Sequence, residues 1–171
     1  MLRIGVLAVV LIINFSLQTT VFQYIEILGV KPDTALILVV SYSILRGDVE
    51  GALLGFFAGL LQDIYFDPFI GRHALMGLLT GYLCGKPFKN FFRENFLLPL
   101  SLVALSSLLY EFIIYVVDFL LLVKLGLPFL FKKIILPGSV YTIIFAVPIY
   151  SLMYGINNKL ENAEKNKRKF F

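Results

Sequence analysis

Apolar residues along this chain fall in long blocks separated by short polar breaks, without the inside-outside alternation of a barrel strand. The first block runs from Ile4 to Gln23, with no charge between Arg3 and Glu26. Lys31-Pro32-Asp33 then marks a helix start, because proline is tolerated in a first turn and a carboxylate there meets the positive end of the helix dipole. The block that follows, to Leu45, is about 13 residues long, short for a crossing. Arg46-Gly47-Asp48 parts it from Val49 to Phe66. This stretch predicts either two short spans joined by a tight turn or a re-entrant hairpin, and both leave the parity of crossings unchanged. After the turn-rich Asp67-Pro68-Phe69-Ile70-Gly71, a fourth helix is predicted from Arg72 to Gly85, ended by Lys86-Pro87. A basic, aromatic loop covers 88–95. A fifth helix is predicted from Phe96 to Val123, long enough to tilt, and a sixth from Ile134 to Asn157, kinked at Pro148. Residues 158–171 are polar and basic and are predicted to be an unstructured tail. Residues 1–157 then form one transmembrane domain of about six short helices.

Composition supports lipid as the solvent. Of the 171 residues, 59% are hydrophobic and 15% charged, against roughly 25% charged in a soluble domain. The mean hydropathy is +0.88. Inside a bilayer each backbone N–H and C=O must be satisfied within its own segment, so continuous apolar runs imply an all-α integral membrane protein. The net charge of +4 does not point to nucleic acid, since the basic residues sit at helix ends, where lipid headgroups are the simpler partner. Placing the tail in the cytoplasm puts ten Lys and Arg residues inside and five outside, which with an even number of spans predicts both termini in the cytoplasm. Arg3 followed by an apolar run resembles a signal peptide, but residues 14–18 supply no small-x-small cleavage site, so a retained first helix is expected. The single cysteine, Cys84, excludes an intrachain disulfide.

The strongest internal pattern is a stripe of small residues at four-residue spacing: Gly47, Gly51, Gly55 and Gly59, continued by Asp63 and Asp67. His73, Gly77, Gly81 and Gly85 repeat the spacing in the fourth helix. Such ridges let helices approach closely in lipid, where packing replaces the hydrophobic drive. They serve either as internal packing between the third and fourth helices or as a docking face for a partner's helix. Asp63 and the bases Arg72 and His73 meet across the predicted hairpin and are candidates for a structural ion pair, because an isolated charge at membrane depth costs at least about 2.5 kcal/mol. Glu111 and Asp118 lie seven apart, on one face of the fifth helix, and Glu111 requires a partner base or protonation. No Ser-His-Asp set, metal-spaced His or Cys cluster or phosphate loop occurs, so no catalytic residue, cofactor or metal is expected.

Leu17-Gln18-Thr19, Pro32-Asp33, Leu45 to Gly51, Gly55-Phe56 with Gly59-Leu60 and Asp63, then Gly71 with His73-Ala74-Leu75 and Gly81-Tyr82-Leu83 together resemble the bacterial rod-shape-determining family MreD. The resemblance covers mainly residues 15–85. It implies a non-enzymatic member of the cell-wall elongation machinery, beside MreC, the MreB filament, the RodA polymerase and a penicillin-binding transpeptidase, in lateral peptidoglycan synthesis. The family is also similar in architecture to the six-helix substrate-binding components of ECF-type vitamin transporters, which supplies the alternative function. For a pocket, the fifth and sixth helices offer Tyr110, Glu111, Tyr115 and Asp118.

Overall fold

The computed structural model describes residues 2–21, 24, 31–66, 70–86, 97–121 and 136–169. Asp67, the side chain of Asp118 and the connections over 88–95 and 124–133 lie outside the described residues. Six helices are present among them: α1 (Leu2–Thr20), α2 (Thr34–Arg46), α3 (Asp48–Phe66), α4 (Arg72–Gly85), α5 (Leu97–Leu121) and α6 (Leu136–Lys169). Four of these, α1, α3, α5 and α6, are long and apolar enough to cross a membrane. At 13 and 14 residues, α2 and α4 are about 20 Å long, less than the hydrocarbon thickness of about 30 Å. The expectation of about six spans is therefore met by six helices, of which four have spanning length.

Helix α2 is the centre of the molecule. Every residue from Thr34 to Leu45 is buried, as expected of a helix that is apolar all round. It touches each of the other five helices. Leu36, Ile37, Val40 and Ile44 pack with Met76 and Cys84 of α4, Val103 and Tyr110 of α5, and Ala146 of α6. On its other side Leu38, Tyr42 and Leu45 meet Leu54 of α3 and Met153 of α6, with Leu7, Val10 and Leu11 of α1 against them. Ser41 and Ser43 donate to the carbonyls of Ile37 and Val39, both at 2.6 Å, so their hydroxyls are satisfied inside this dry core.

Between α2 and α3 the chain reverses at Gly47, whose φ of 103° lies in the left-handed region open to glycine. Its N–H donates to Ser43 O at 2.7 Å and its carbonyl accepts from Gly51 N at 3.0 Å. By contrast α1 lies at the margin, with Ile4, Val9, Ile12 and Ile13 more than half exposed. Its far end is held through Phe15, whose ring meets Tyr65 edge-on at 5.4 Å and Phe66 at 6.1 Å.

One expectation is corrected. The last helix does not stop at Asn157 with an unstructured tail beyond: α6 continues through Pro148 and on to Lys169, 34 residues in all. Glu161 and Lys165 stand four apart, and no glycine or proline follows Gly155. Asn157 and Leu160 are buried, so the start of the extension is held by packing as well as by propensity. At about 51 Å the helix outruns a bilayer core, so its charged end projects beyond the apolar layer.

Candidate functional site

Helices α3 and α4 form an antiparallel pair closed along both glycine stripes. A Cβ built on Gly55 would fall on the carbonyl of Gly77, and one built on Gly77 on the carbonyl of Gly55. Gly59 faces the carbonyl of His73, Gly81 that of Gly51, and Gly85 the backbone of Gly47 and Asp48. Gly51 meets the side chain of Ser43, which seats α3 on α2 as well. Backbone thus lies on backbone along the whole pair. The stripe is filled by the chain's own neighbouring helix, so of the two readings of the ridge the geometry matches internal packing and leaves no room there for a partner's helix.

Asp63 closes one end of this pair. It is fully buried, and its carboxylate accepts from the backbone N–H groups of Gly71 at 2.9 Å, His73 at 2.8 Å and Ala74 at 2.9 Å. These are donors that a helix start leaves unsatisfied, and Gly71 at the cap position has no side chain to serve them. An aspartate from the preceding helix serves instead, and the dipole of α4 favours its charge. The expected partner of Asp63 was a side-chain base, Arg72 or His73. The structure shows it accepting from the backbone of the α4 start, and the ring of His73 stacks on Tyr110 with Nδ1 2.8 Å from the Tyr110 hydroxyl. The two kinds of partner differ physically, since three preorganised N–H groups satisfy the oxygens of a carboxylate without burying a second charge.

Around this cap a polar junction draws on five helices. Asp33 caps α2, its Oδ1 accepting from Leu36 N at 3.0 Å and from the Gln62 side-chain amide at 3.2 Å. Its own N–H donates to the Thr142 hydroxyl of α6 at 3.2 Å. Glu111 of α5 follows Tyr110 and comes within electrostatic reach of Asp33. The junction lies at the end of the bundle where α2, α4 and α6 begin and α3 ends. Sequence reasoning took Asp33 only as a helix start and passed over Gln62 and Thr142. A signal was present, because Gln62 and Asp63 are polar neighbours inside an otherwise apolar block.

The opposite end carries a second polar lock. Arg46 grips Glu50 with Nε at 3.2 Å and a second guanidinium nitrogen at 3.1 Å, and the Tyr42 hydroxyl donates to the same carboxylate at 2.7 Å. Arg46 also reaches Glu161 of α6 at 3.6 Å, and the Asn157 amide donates to Glu161 at 3.3 Å. Lys86, just past α4, sits 4.4 Å above the Tyr82 ring. The turn between α2 and α3 is therefore tied to the extension of α6. Among the described residues no group of three His, Cys, Asp or Glu is placed to hold a metal ion.

A short central helix, a glycine-closed α3–α4 pair and polar locks at both ends describe an architecture without naming it. The profile of the rod shape-determining protein MreD matches residues 1–160. The chain belongs to the MreD family. No curated protein and no solved structure matches it. The matched region takes in α1 to α5 and α6 as far as Leu160, hence the junction at Asp33, the whole glycine seam and the Arg46–Glu50 pair of this MreD-family chain, and it stops one residue short of Glu161. Membership implies a role in rod-shape determination and a place in the membrane.

Proposed function

We propose that this chain is a non-enzymatic membrane scaffold of the cell-wall elongation machinery, supporting lateral peptidoglycan synthesis through helix packing with its partners. The family match over residues 1–160 carries this reading. The partners are MreC directly and, through the complex, the MreB filament, RodA and a penicillin-binding transpeptidase. The protein lies in the cytoplasmic membrane with both termini inside, so that the Arg46–Glu161 lock and the basic end of α6 face the cytoplasm and the junction at Asp33 faces outward. A scaffold needs stiffness and apolar faces. Stiffness is favoured by a centrally buried α2 and by backbone-on-backbone packing of α3 and α4. Apolar faces remain on α3 at Val49, Leu53 and Phe57 and on α4 at Leu75, Leu79 and Leu83.

The test is co-expression with MreC and the remaining wall-elongation proteins, followed by co-purification, with cell width scored in a strain that depends on this copy. Co-purification with MreC and restored rod width are expected. Capture of an ATPase pair and a vitamin-sized ligand, never of MreC, would replace this reading with that of a transporter's substrate-binding subunit. The convergence of polar groups from five helices is the observation that favours that second reading.

A further inference from the structure

Three helices agree on one apolar height. Asp33 and Arg46 bound α2, Glu50 and Asp63 lie near the ends of α3, and His73 and Lys86 bound α4; the members of each pair are 13 residues apart, about 20 Å of helix. Contacts hold these residues at two common levels. At one end Asp33 meets Gln62 at 3.2 Å, and Asp63 accepts from the N–H of His73 at 2.8 Å. At the other Arg46 grips Glu50 at 3.1 Å, and Gly85 lies on the backbone of Asp48. A hydrocarbon core is about 30 Å thick, and tilting a helix only lowers its height.

Side chains do not make up the difference. Lys86 folds back over the ring of Tyr82, one turn earlier, at 4.4 Å instead of reaching outward. Arg72, the charge in the first turn of α4, is partly buried, and Asp63 is fixed on three backbone N–H groups. Nor can this block sink into the core. The turn before α4 is open, with Ile70 72% exposed, and irregular backbone facing lipid belongs at the headgroup level. The α1 flank is different, since no charge occurs between Arg3 and Glu26 and its outward residues Val9, Ile12 and Ile13 are apolar. The bundle thus presents two apolar heights to one bilayer.

We propose that the α3–α4 face holds a locally thinned bilayer and takes phospholipids with short acyl chains against Leu75, Leu79 and Leu83, while the α1 flank takes chains of ordinary length. Acyl chains fit this face because its outward residues are large and apolar, Val49, Leu53 and Phe57 on α3 with the three leucines on α4, whereas the glycines that would admit a close helix are turned into the seam. Thinning has a modest cost that grows with the mismatch, so these lipids are held under strain. In the scaffold reading, a partner arriving at this face displaces them and relieves that strain.

The chain has no tryptophan, so a single one introduced at an exposed position reports on the lipid beside it. Leu79→Trp places the reporter midway along the α4 face, and Ile12→Trp on α1 is the control; both side chains face outward, so packing is left intact. Each full-length variant is reconstituted in mixtures of dimyristoleoyl- and dioleoylphosphatidylcholine, with one or the other lipid brominated, and quenching of the tryptophan gives the local composition. At Leu79→Trp the short-chain lipid should be enriched about threefold over its bulk share, and at Ile12→Trp it should show no enrichment. Leu75→Trp stands in if Leu79→Trp fails to fold. The same composition at both reporters, or enrichment of the long-chain lipid at α4, would overturn the proposal. So would a reporter on α4 that neither brominated lipid quenches, which would mean that a second copy of the chain covers the face. The assay uses the isolated chain, so it stands or falls apart from co-purification with any partner.

Discussion

Adding one methyl group at Gly55 tests the packing on which the whole α3–α4 pair depends. The new Cβ of Gly55→Ala would fall on the carbonyl oxygen and carbon of Gly77 and stand 3.1 Å from Cγ1 of Val39. The first two are backbone atoms, so no rotamer change relieves the collision and the helices must part. Overpacking of this kind costs roughly 1–3 kcal/mol. Alanine favours an isolated helix over glycine by about 1 kcal/mol, but an inserted α3 is helical before and after it parts from α4, so little of that gain offsets the loss. For a chain of this size 1 kcal/mol moves the midpoint by roughly 2–4 °C, which gives an expected fall of roughly 2–12 °C. Gly5 and Gly155 are internal controls, since a Cβ at either meets nothing within 4 Å. Thermal unfolding in a mild detergent, followed by loss of monodisperse protein, should show Gly55→Ala well below wild type and both controls within about 1 °C of it. Gly55→Ala combined with Gly77→Ala should lose less than the sum of the single losses, because one parting of the helices accommodates both methyl groups. If Gly55→Ala melts with Gly155→Ala, the close contact does not exist and the seam is free to serve a partner.

Other expectations concern the two ends of the bundle. Asp63→Ala orphans three buried N–H groups and should cost about 2–4 kcal/mol, with Asp63→Asn losing less; if Arg72→Ala matches the alanine loss at Asp63, a side-chain ion pair rather than the backbone cap holds this end. Tyr110→Phe removes one hydrogen bond to His73 and should lower stability by about 1 kcal/mol in the same melting assay, and no change would show that the 2.8 Å contact is not formed. Arg46→Ala should speed trypsin cleavage near Lys165 and lower the midpoint, since it leaves Glu50 and the mostly buried Glu161 without their base; unchanged cleavage would mean that α6 does not depend on the lock. With Cys84 replaced by serine, single cysteines placed in 88–95 should resist an impermeant maleimide in intact cells, and labelling there would invert the proposed orientation.

The parts of this fold that a sequence displays are those set by local chemistry. Uniformly apolar blocks give helices in lipid whatever their neighbours do, and Gly47, Asp33 and Gly71 mark breaks through backbone geometry and capping that act within a few residues. The glycine stripes were legible as a surface suited to close approach, but not as to what approaches, because a ridge is the same whether the partner is α4 or another chain. The backbone partners of Asp63 were missed for a related reason: charge complementarity is visible in residue names, and unsatisfied N–H groups at a helix start are not. The tail was misread because its polarity resembles disorder, whereas a helix already running needs no new nucleus and extends at low cost through Leu, Glu, Lys and Ala. Asp33 and Glu111 are 78 positions apart in the sequence, and only the packing of α2 on α5 brings them within reach of one another.

The position of α2 explains why both polar ends are needed. A helix about 20 Å long cannot anchor itself by spanning, and its largely apolar surface has no hydrophobic reason to prefer protein neighbours to lipid tails. What distinguishes the bundle interior for α2 is therefore its polar termini. Asp33 binds Gln62 of α3 and Thr142 of α6 at the start of the helix, and Tyr42 and Arg46 bind Glu50 and Glu161 at its end. The same two helices, α3 and α6, receive it at both ends, so α2 can neither slide along its axis nor turn about it without breaking contacts that lipid cannot replace. Neutralising the two ends together should then release α2 more than either change alone, as an excess loss of midpoint in Gln62→Leu combined with Glu161→Leu over the sum of the single losses. Strict additivity would show that the ends act independently and that apolar packing alone holds the central helix.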